Sequence, residues 1–316
     1  MKEADDVRDD VSKAYSKAVN TNTGCCGGEA TQKGVAARMA GYSKEDLADL
    51  PLDAVESSFG CGNPVAFAEV RAGEVVLDLG SGAGIDLLLA AQKVGPSGRV
   101  IGVDMTDDMI DRARANIEAA NLENVEVRKG IIEQLPVEDS SVDWVISNCV
   151  INLSPEKDLV FAEIARVLKP GGRMLVSDIV VEDLPDWIRQ SAALYAACIA
   201  GAISEDEYLA GLRRAGLIDT EVRERFVYDT AQLAGLIGSE ISDVIGQSSC
   251  CAPPQPAEQS ACCAPQPAAQ SPCCAPPQPA EQSGCCGGLP TDLVNRAATD
   301  VQGKIWSAKV SARKPA

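Results

Sequence analysis

With 316 residues, 46% of them hydrophobic, the chain can bury one large core or two modest ones. A formal net charge of -18 argues against a nucleic-acid surface, which needs clustered Lys and Arg. Histidine is absent, which excludes Ser-His-Asp and Cys-His triads and imidazole zinc sites; thiolates, carboxylates, amides or a cofactor must carry any chemistry.

The N-terminus, Met1 to Asp6, is charged and has no apolar core of a secretory signal. The uncharged run Ser191 to Ser204 is too short to span a bilayer and reads as a buried helix. No membrane contact is expected, and the cytoplasm is the default compartment. There, 13 cysteines suggest soft-ion binding or catalysis more than a disulfide framework.

In chain order, residues 1–70 read as an N-terminal helical and loop segment holding Gly24-Cys25-Cys26-Gly27-Gly28. Over 71–180, strand-like runs at Val75 to Leu79, Val100 to Asp104, Val125 to Val127, Trp144 to Ser147 and Arg173 to Ser177 alternate with helical stretches such as Asp108 to Ala120 and Asp158 to Leu168. That alternation predicts an α/β fold, a doubly wound and mainly parallel sheet with helices on both faces. Lys169-Pro170-Gly171-Gly172 reads as a helix stop and turn before the fifth strand.

Residues 181–246 read as a smaller α+β substrate-binding region, mainly helical with one strand at Glu221 to Tyr228. From 247 to 290 the sequence repeats Cys-Cys-Ala-Pro-Pro-Gln-Pro-Ala-Glu-Gln-Ser with variations. Its cysteine pairs are Cys250-Cys251, Cys262-Cys263, Cys273-Cys274 and Cys285-Cys286. Proline at this density disfavours helix and sheet and predicts an extended, disordered linker. Residues 291–316 end in an alternating strand pattern at Gly303 to Ser311, so the repeat reads as an insertion before the last strand.

The first strand ends in Asp78 and runs into Gly80-Ser81-Gly82-Ala83-Gly84, then a helix from Ile85 to Lys93: a nucleotide-binding turn whose glycines permit a sharp bend and close ligand approach. Gly-x-Gly-x-Gly alone also serves NAD sites. Here the spacing lacks the third glycine of the dinucleotide fingerprint. Asp78 suits a cationic methionine moiety better than a pyrophosphate, and Asp104 ends the second strand where a carboxylate can accept both ribose hydroxyls. The pattern resembles the class I S-adenosylmethionine methyltransferases and continues through Gly130 to Pro136. The resemblance implies that Ile132 and Glu133 flank an adenine, that Met105 and Thr106 adjoin the ribose acid, and that Asn148 lies beside the methionine portion.

The class does not name the methyl acceptor; the cysteines say more. Three stand alone: Cys61 in Gly60-Cys61-Gly62-Asn63-Pro64, Cys149 in Ser147-Asn148-Cys149-Val150-Ile151-Asn152-Leu153, and Cys198 in an apolar helix. A buried single cysteine is usually a small hydrophobe. Cys149, however, follows the fourth strand at the ligand-binding edge of the sheet, and Cys61 lies in a turn able to close over the same crevice. Three converging thiolates would hold a soft trivalent ion with its lone pair exposed.

These segments, with Cys25-Cys26, resemble the arsenite methyltransferases over roughly residues 10 to 230 and the last strand; the proline-rich repeat departs from that pattern. The resemblance implies As(III) on Cys149 and Cys198. It also implies that Cys61 and one of Cys25 or Cys26 support an intermediate, and that thioredoxin or glutathione reduces it. Cys26 is taken as the catalytic member of that pair. The expected activity is methylation of thiolate-bound arsenite for detoxification, with S-adenosylmethionine as donor. The repeat pairs read as capturing arsenic or another soft ion, against a low-complexity insertion without a role or a redox relay. The competing readings are a carbon methyltransferase of a quinone- or sterol-like acceptor and a thiol-rich arsenic-binding protein.

Overall fold

The computed structural model describes residues 3–20, 42–43, 47–48, 50–58, 60, 62–64, 68–196, 198–234 and 291–316. Helices α1 (Ala4–Asn20) and α2 (Leu52–Glu56) precede the sheet. The alternating units are β1 (Val75–Leu79), α3 (Ile85–Val94), β2 (Arg99–Asp104), α4 (Asp107–Ala119), β3 (Val125–Lys129), β4 (Val142–Asn148), α5 (Lys157–Val167) and β5 (Leu168–Val181). After them come α6 (Asp186–Arg189), α7 (Ala192–Ala196), α8 (Glu205–Arg214), β6 (Ile218–Val227), α9 (Thr291–Val301) and β7 (Ile305–Arg313).

The seven strands form one sheet in the order β3-β2-β1-β4-β5-β7-β6. β1 pairs in parallel with β2 and β4, while β7 runs antiparallel between β5 and β6. The expected parallel-dominated, doubly wound fold is therefore present. From β1 the chain winds outward to β3, then returns to β4 on the other side of β1. The loops after β1 and β4 consequently diverge and leave a crevice at the carboxyl edge.

Side chains alternate between the two sheet faces. Leu77, Leu79, Ile101 and Val103 enter one buried cluster; Val76, Val100, Trp144 and Ile146 enter the opposite one. A third cluster caps the β4–β5 end and gathers Cys149, Ile179, Leu184, Cys198, Val301 and Ile305. The last strand lies inside the sheet, between β5 and β6, and the repeat precedes it in the sequence. The repeat's own conformation lies outside the described residues.

Two local expectations are corrected. Lys169 to Gly172 is not a turn ahead of the strand but a bulge within β5. Val142 pairs with Leu168 and Trp144 with Arg173, so the pairing jumps across these residues. Gly171 supplies the positive φ of 78°, and Lys169 anchors the bulge on Asp143 at 2.7 Å. The run Ser191 to Ser204 is helical only over Ala192–Ala196. Beyond it the chain turns, with Cys198 at φ 59°, and passes the Asn152 carbonyl at Gly201, where a Cβ would lie 2.2 Å from that oxygen.

Candidate active site

The glycine loop is built for bending. Gly80, Gly82 and Gly84 have φ of 64°, 51° and 95°, a region that L side chains enter only at a cost of roughly 1–2 kcal/mol. The Gly80 and Ser81 amides donate to the Val103 carbonyl at 2.8 and 3.1 Å, which fixes the loop against β2. Asp104 then ties two loops together. One of its oxygens accepts from the Gly82 amide at 2.9 Å and the other from the Thr106 amide at 2.8 Å.

These loops open into a cleft at the β1/β4 switch point. All nine residues singled out for the donor, from Asp78 to Asn148, line it, and so does Cys149. Glu133 and Ile132 come from the loop after β3. Glu133 is held by the Ser154 hydroxyl at 2.6 Å and by Arg8 at 3.2 Å.

The charge pattern indicates what the cleft can accept. Burial pushes the Asp78 carboxyl well up, and the neighbouring charges of Asp86 and Asp104 push it further. Burial raises Asp86 to about 6 against hydrogen bonds from Tyr42 and Asn148, and it raises Asp104 against amide bonds from Thr106, Gly82 and Met105. Three carboxylates sharing a dry site repel one another, and a cationic ligand relieves that repulsion. A ligand bearing a sulfonium and an ammonium therefore fits this donor set, and open space around Gly82 leaves room beside the loop.

Asp86, Tyr42 and α1 do not emerge from the sequence reading. The Tyr42 hydroxyl lies 2.9 and 3.0 Å from the two Asp86 oxygens, and the Asn148 amide nitrogen lies 2.9 Å from that hydroxyl. The signal for Asp86 was available: it is an acid inside the apolar run Ile85-Asp86-Leu87-Leu88-Leu89. Tyr42 and the α1 residues Arg8, Val11 and Tyr15 carry no comparable motif.

On the acceptor side, Cys149 and Cys198 meet although 49 residues separate them; the Cys198 Sγ lies 2.6 Å from the Cys149 carbonyl oxygen. They are 4% and 2% exposed, and each has φ of 59°. The Cys149 amide donates to the Ser177 carbonyl at 2.8 Å, anchoring it to β5. Cys149 is disulfide-bonded, and its partner lies outside the described residues. Cys61, Cys25, Cys26 and the eight repeat cysteines also lie outside them. The neighbours of Cys61 are described: the Gly62 amide donates to Asn148 Oδ1 at 3.1 Å, and a Cβ on Gly60 would collide with the Asn148 amide. Among the described residues no group of three candidate metal ligands occurs.

A methyltransferase-domain family model matches residues 71–216. With the strand order and the cleft, it places the chain among the class I S-adenosylmethionine-dependent methyltransferases. The arsenite methyltransferase of Halobacterium salinarum is 48% identical over 205 residues, covering 65% of this chain and 52% of the relative. The crystal structure of an arsenic(III) S-adenosylmethionine methyltransferase from Chlamydomonas reinhardtii superposes with a TM-score of 0.55 at 39% identity, covering 62% of this chain and 68% of that one. The chain belongs to the arsenite methyltransferase family. It spans about half the length of curated relatives such as the Halobacterium protein. A demethylmenaquinone methyltransferase of Listeria welshimeri matches a shorter stretch, at 34% identity over 118 residues, 37% of this chain and 50% of that one.

Proposed function

We propose that this chain methylates trivalent arsenic held on cysteine sulfur, as part of arsenic detoxification in the cytoplasm. The observation that carries the reading is the meeting of Cys149 and Cys198 beside the cofactor cleft, each in a strained backbone conformation. Strain of this kind persists only where the surroundings enforce it, and it gathers at functional sites. S-adenosylmethionine, when bound, supplies an electrophilic methyl group on a sulfonium.

The residues of the chain do the positioning. Asp78 and Asp86 face the cationic portion of the donor, Asp104 its ribose, and Ile132 and Glu133 its adenine. Cys149 and Cys198 hold the acceptor, with Cys61 proposed as a third sulfur on the sequence pattern alone. As(III) reacts through its own lone pair, so no general base is required, in keeping with a chain that lacks histidine. Alignment of donor and acceptor is worth up to about 7–11 kcal/mol in well-oriented systems.

The disulfide at Cys149 supports the need for a reductant. Lone-pair attack on the methyl releases S-adenosylhomocysteine and carries arsenic formally from As(III) to As(V), so an external thiol must return two electrons and is itself oxidised to a disulfide; a second such exchange opens the bond at Cys149. Thioredoxin or glutathione would fill this role, with Cys25 or Cys26 relaying the exchange. The vicinal pairs of the repeat would capture additional arsenite, two sulfurs to each ion.

The test incubates the reduced chain with S-adenosylmethionine, arsenite and a dithiol, and follows S-adenosylhomocysteine together with arsenic species. Methylated arsenic is expected, and Cys149→Ser should abolish it. Unchanged rates in that variant would sink the thiolate site. The Listeria match favours one second reading, carbon methylation of a quinone. Turnover with a demethylated quinone that is indifferent to Cys149→Ser would select it. Arsenite binding without methyl transfer would instead select a thiol-rich arsenic-binding protein.

A further inference from the structure

Helix α1 lies outside the matched methyltransferase domain, yet one of its faces spans both halves of the site. Arg8, Val11 and Tyr15 recur at spacings of three and four, one face of a helix, and all three line the cofactor cleft. Along the same face, three further contacts grip the loops that shape that cleft. Arg8 donates to Glu133 at 3.2 Å, the Thr106 hydroxyl donates to Ser12 at 3.4 Å, and Ser16 bonds Asp108 at the start of α4. Arg112 secures the helix end through the Val19 carbonyl at 2.5 Å.

Tyr15 is where this helix leaves the donor side. Its hydroxyl donates to the Ala196 carbonyl at 3.2 Å and lies 4.0 Å from the Cys198 sulfur. The carbonyl ends α7, and the sulfur lies in the turn that follows, where Cys198 has positive φ. Within that turn the Cys198 amide donates to the Tyr195 carbonyl at 3.0 Å, and the Tyr195 hydroxyl reaches the Leu153 carbonyl at 3.3 Å. Tyr15 is thus the contact through which an element built on the cofactor loops bears on the strained thiol.

We infer that α1 couples the two halves of the site, with Tyr15 as the positioning residue. A molecule filling the cleft fixes α1, and the Tyr15 phenol then fixes the Cys198 turn for its acceptor. The inference rests on the proposed reading of Cys198 as an arsenic ligand. Such coupling is reciprocal: whatever the cofactor side does to arsenite affinity, arsenite does to cofactor affinity.

The test uses the full chain, reduced with a phosphine, and measures arsenite affinity by equilibrium dialysis with and without saturating S-adenosylhomocysteine. That ligand fills the cleft but has no methyl group to transfer, so turnover does not enter. In the parent, arsenite should bind at least about five-fold more tightly when the cleft is filled. In Tyr15→Phe, with S-adenosylhomocysteine kept saturating for that variant, the ratio should fall below about two-fold, and Ser16→Ala, remote from Cys198, should lower the same ratio. A ratio of one in the parent, or an undiminished ratio in Tyr15→Phe, overturns the coupling. Arsenite affinity unchanged by Cys198→Ser would instead overturn the acceptor reading, and the coupling with it.

Discussion

In the cofactor half of the site, the left-handed backbone positions belong to Gly80, Gly82 and Gly84; in the acceptor half they belong to Cys149 and Cys198. Glycine enters that region at almost no steric cost, whereas a residue with a Cβ is strained there by roughly 1–2 kcal/mol. The donor loop therefore bends with residues suited to bending. The loops at Cys149 and Cys198 bend at residues that carry a Cβ, and the surrounding packing has to enforce the shape. On the proposed reading of these two cysteines as arsenic ligands, the sulfur outweighs the conformational preference for glycine.

Substituting within the glycine loop should produce the largest effect, because Gly80 also bears on the acceptor side. A Cβ at Gly80 would meet both Val150 methyls at 2.5 Å, and Val150 follows Cys149 directly. A Cβ at Gly82 meets nothing within 4 Å. Gly80→Ala should therefore add an overpacking penalty of about 1–3 kcal/mol to the backbone strain, whereas Gly82→Ala carries the strain alone. Calorimetric melting should rank Gly80→Ala clearly below Gly82→Ala, with S-adenosylhomocysteine affinity lowered in both. Equal melting temperatures would mean that the two halves do not touch at Val150.

Each half also buries a carboxylate, and pH separates them. Burial pushes Asp178, beside the acceptor loops, to about 7, against the pull of the Lys157 charge, the Ile179 and Asn152 amides and the Tyr208 hydroxyl. Asp86, on the donor side, is pushed to about 6. The folded chain keeps these protons where the unfolded chain, with carboxyls near 3.9, has already lost them. Stability should thus fall as pH rises from about 4, through about 6 for Asp86 and about 7 for Asp178. Melting curves collected across that window should flatten in Asp178→Asn, most visibly in the upper unit. A parent-like slope in Asp178→Asn would show that this carboxyl ionises in the fold as freely as in water.

The two halves were also unequally legible in the sequence. β1 spans Val75–Leu79 as the apolar run predicts, and α4 and α5 fall within a residue of expectation, because alternation and 3.6-residue periodicity report burial directly. The glycine loop was readable because acid, glycines and spacing occur together between Asp78 and Gly84. On the acceptor side, the run around Cys198 misled: its apolar composition says buried but does not say helical, and the close approach at Gly201 is to the Asn152 carbonyl of a distant loop. Tyr15 and Tyr42 were invisible for the same reason, since their partners Cys198 and Asp86 lie 183 and 44 residues away.

The smallest expected effect tests the comparison most directly. At an ordinary position glycine is less stable than alanine by roughly 0.5–1 kcal/mol, because the unfolded glycine chain has more freedom to lose. Cys198→Ala and Cys198→Gly both remove the buried thiol, but only alanine keeps a Cβ at φ 59°. Relief of about 1–2 kcal/mol of left-handed strain should cancel or reverse the usual penalty, leaving Cys198→Gly at least as stable as Cys198→Ala. Denaturant unfolding of the two variants measures the difference without reference to activity. If glycine proves the weaker residue by its ordinary margin, the backbone at Cys198 is not strained, and the two halves of the site bend at equal cost.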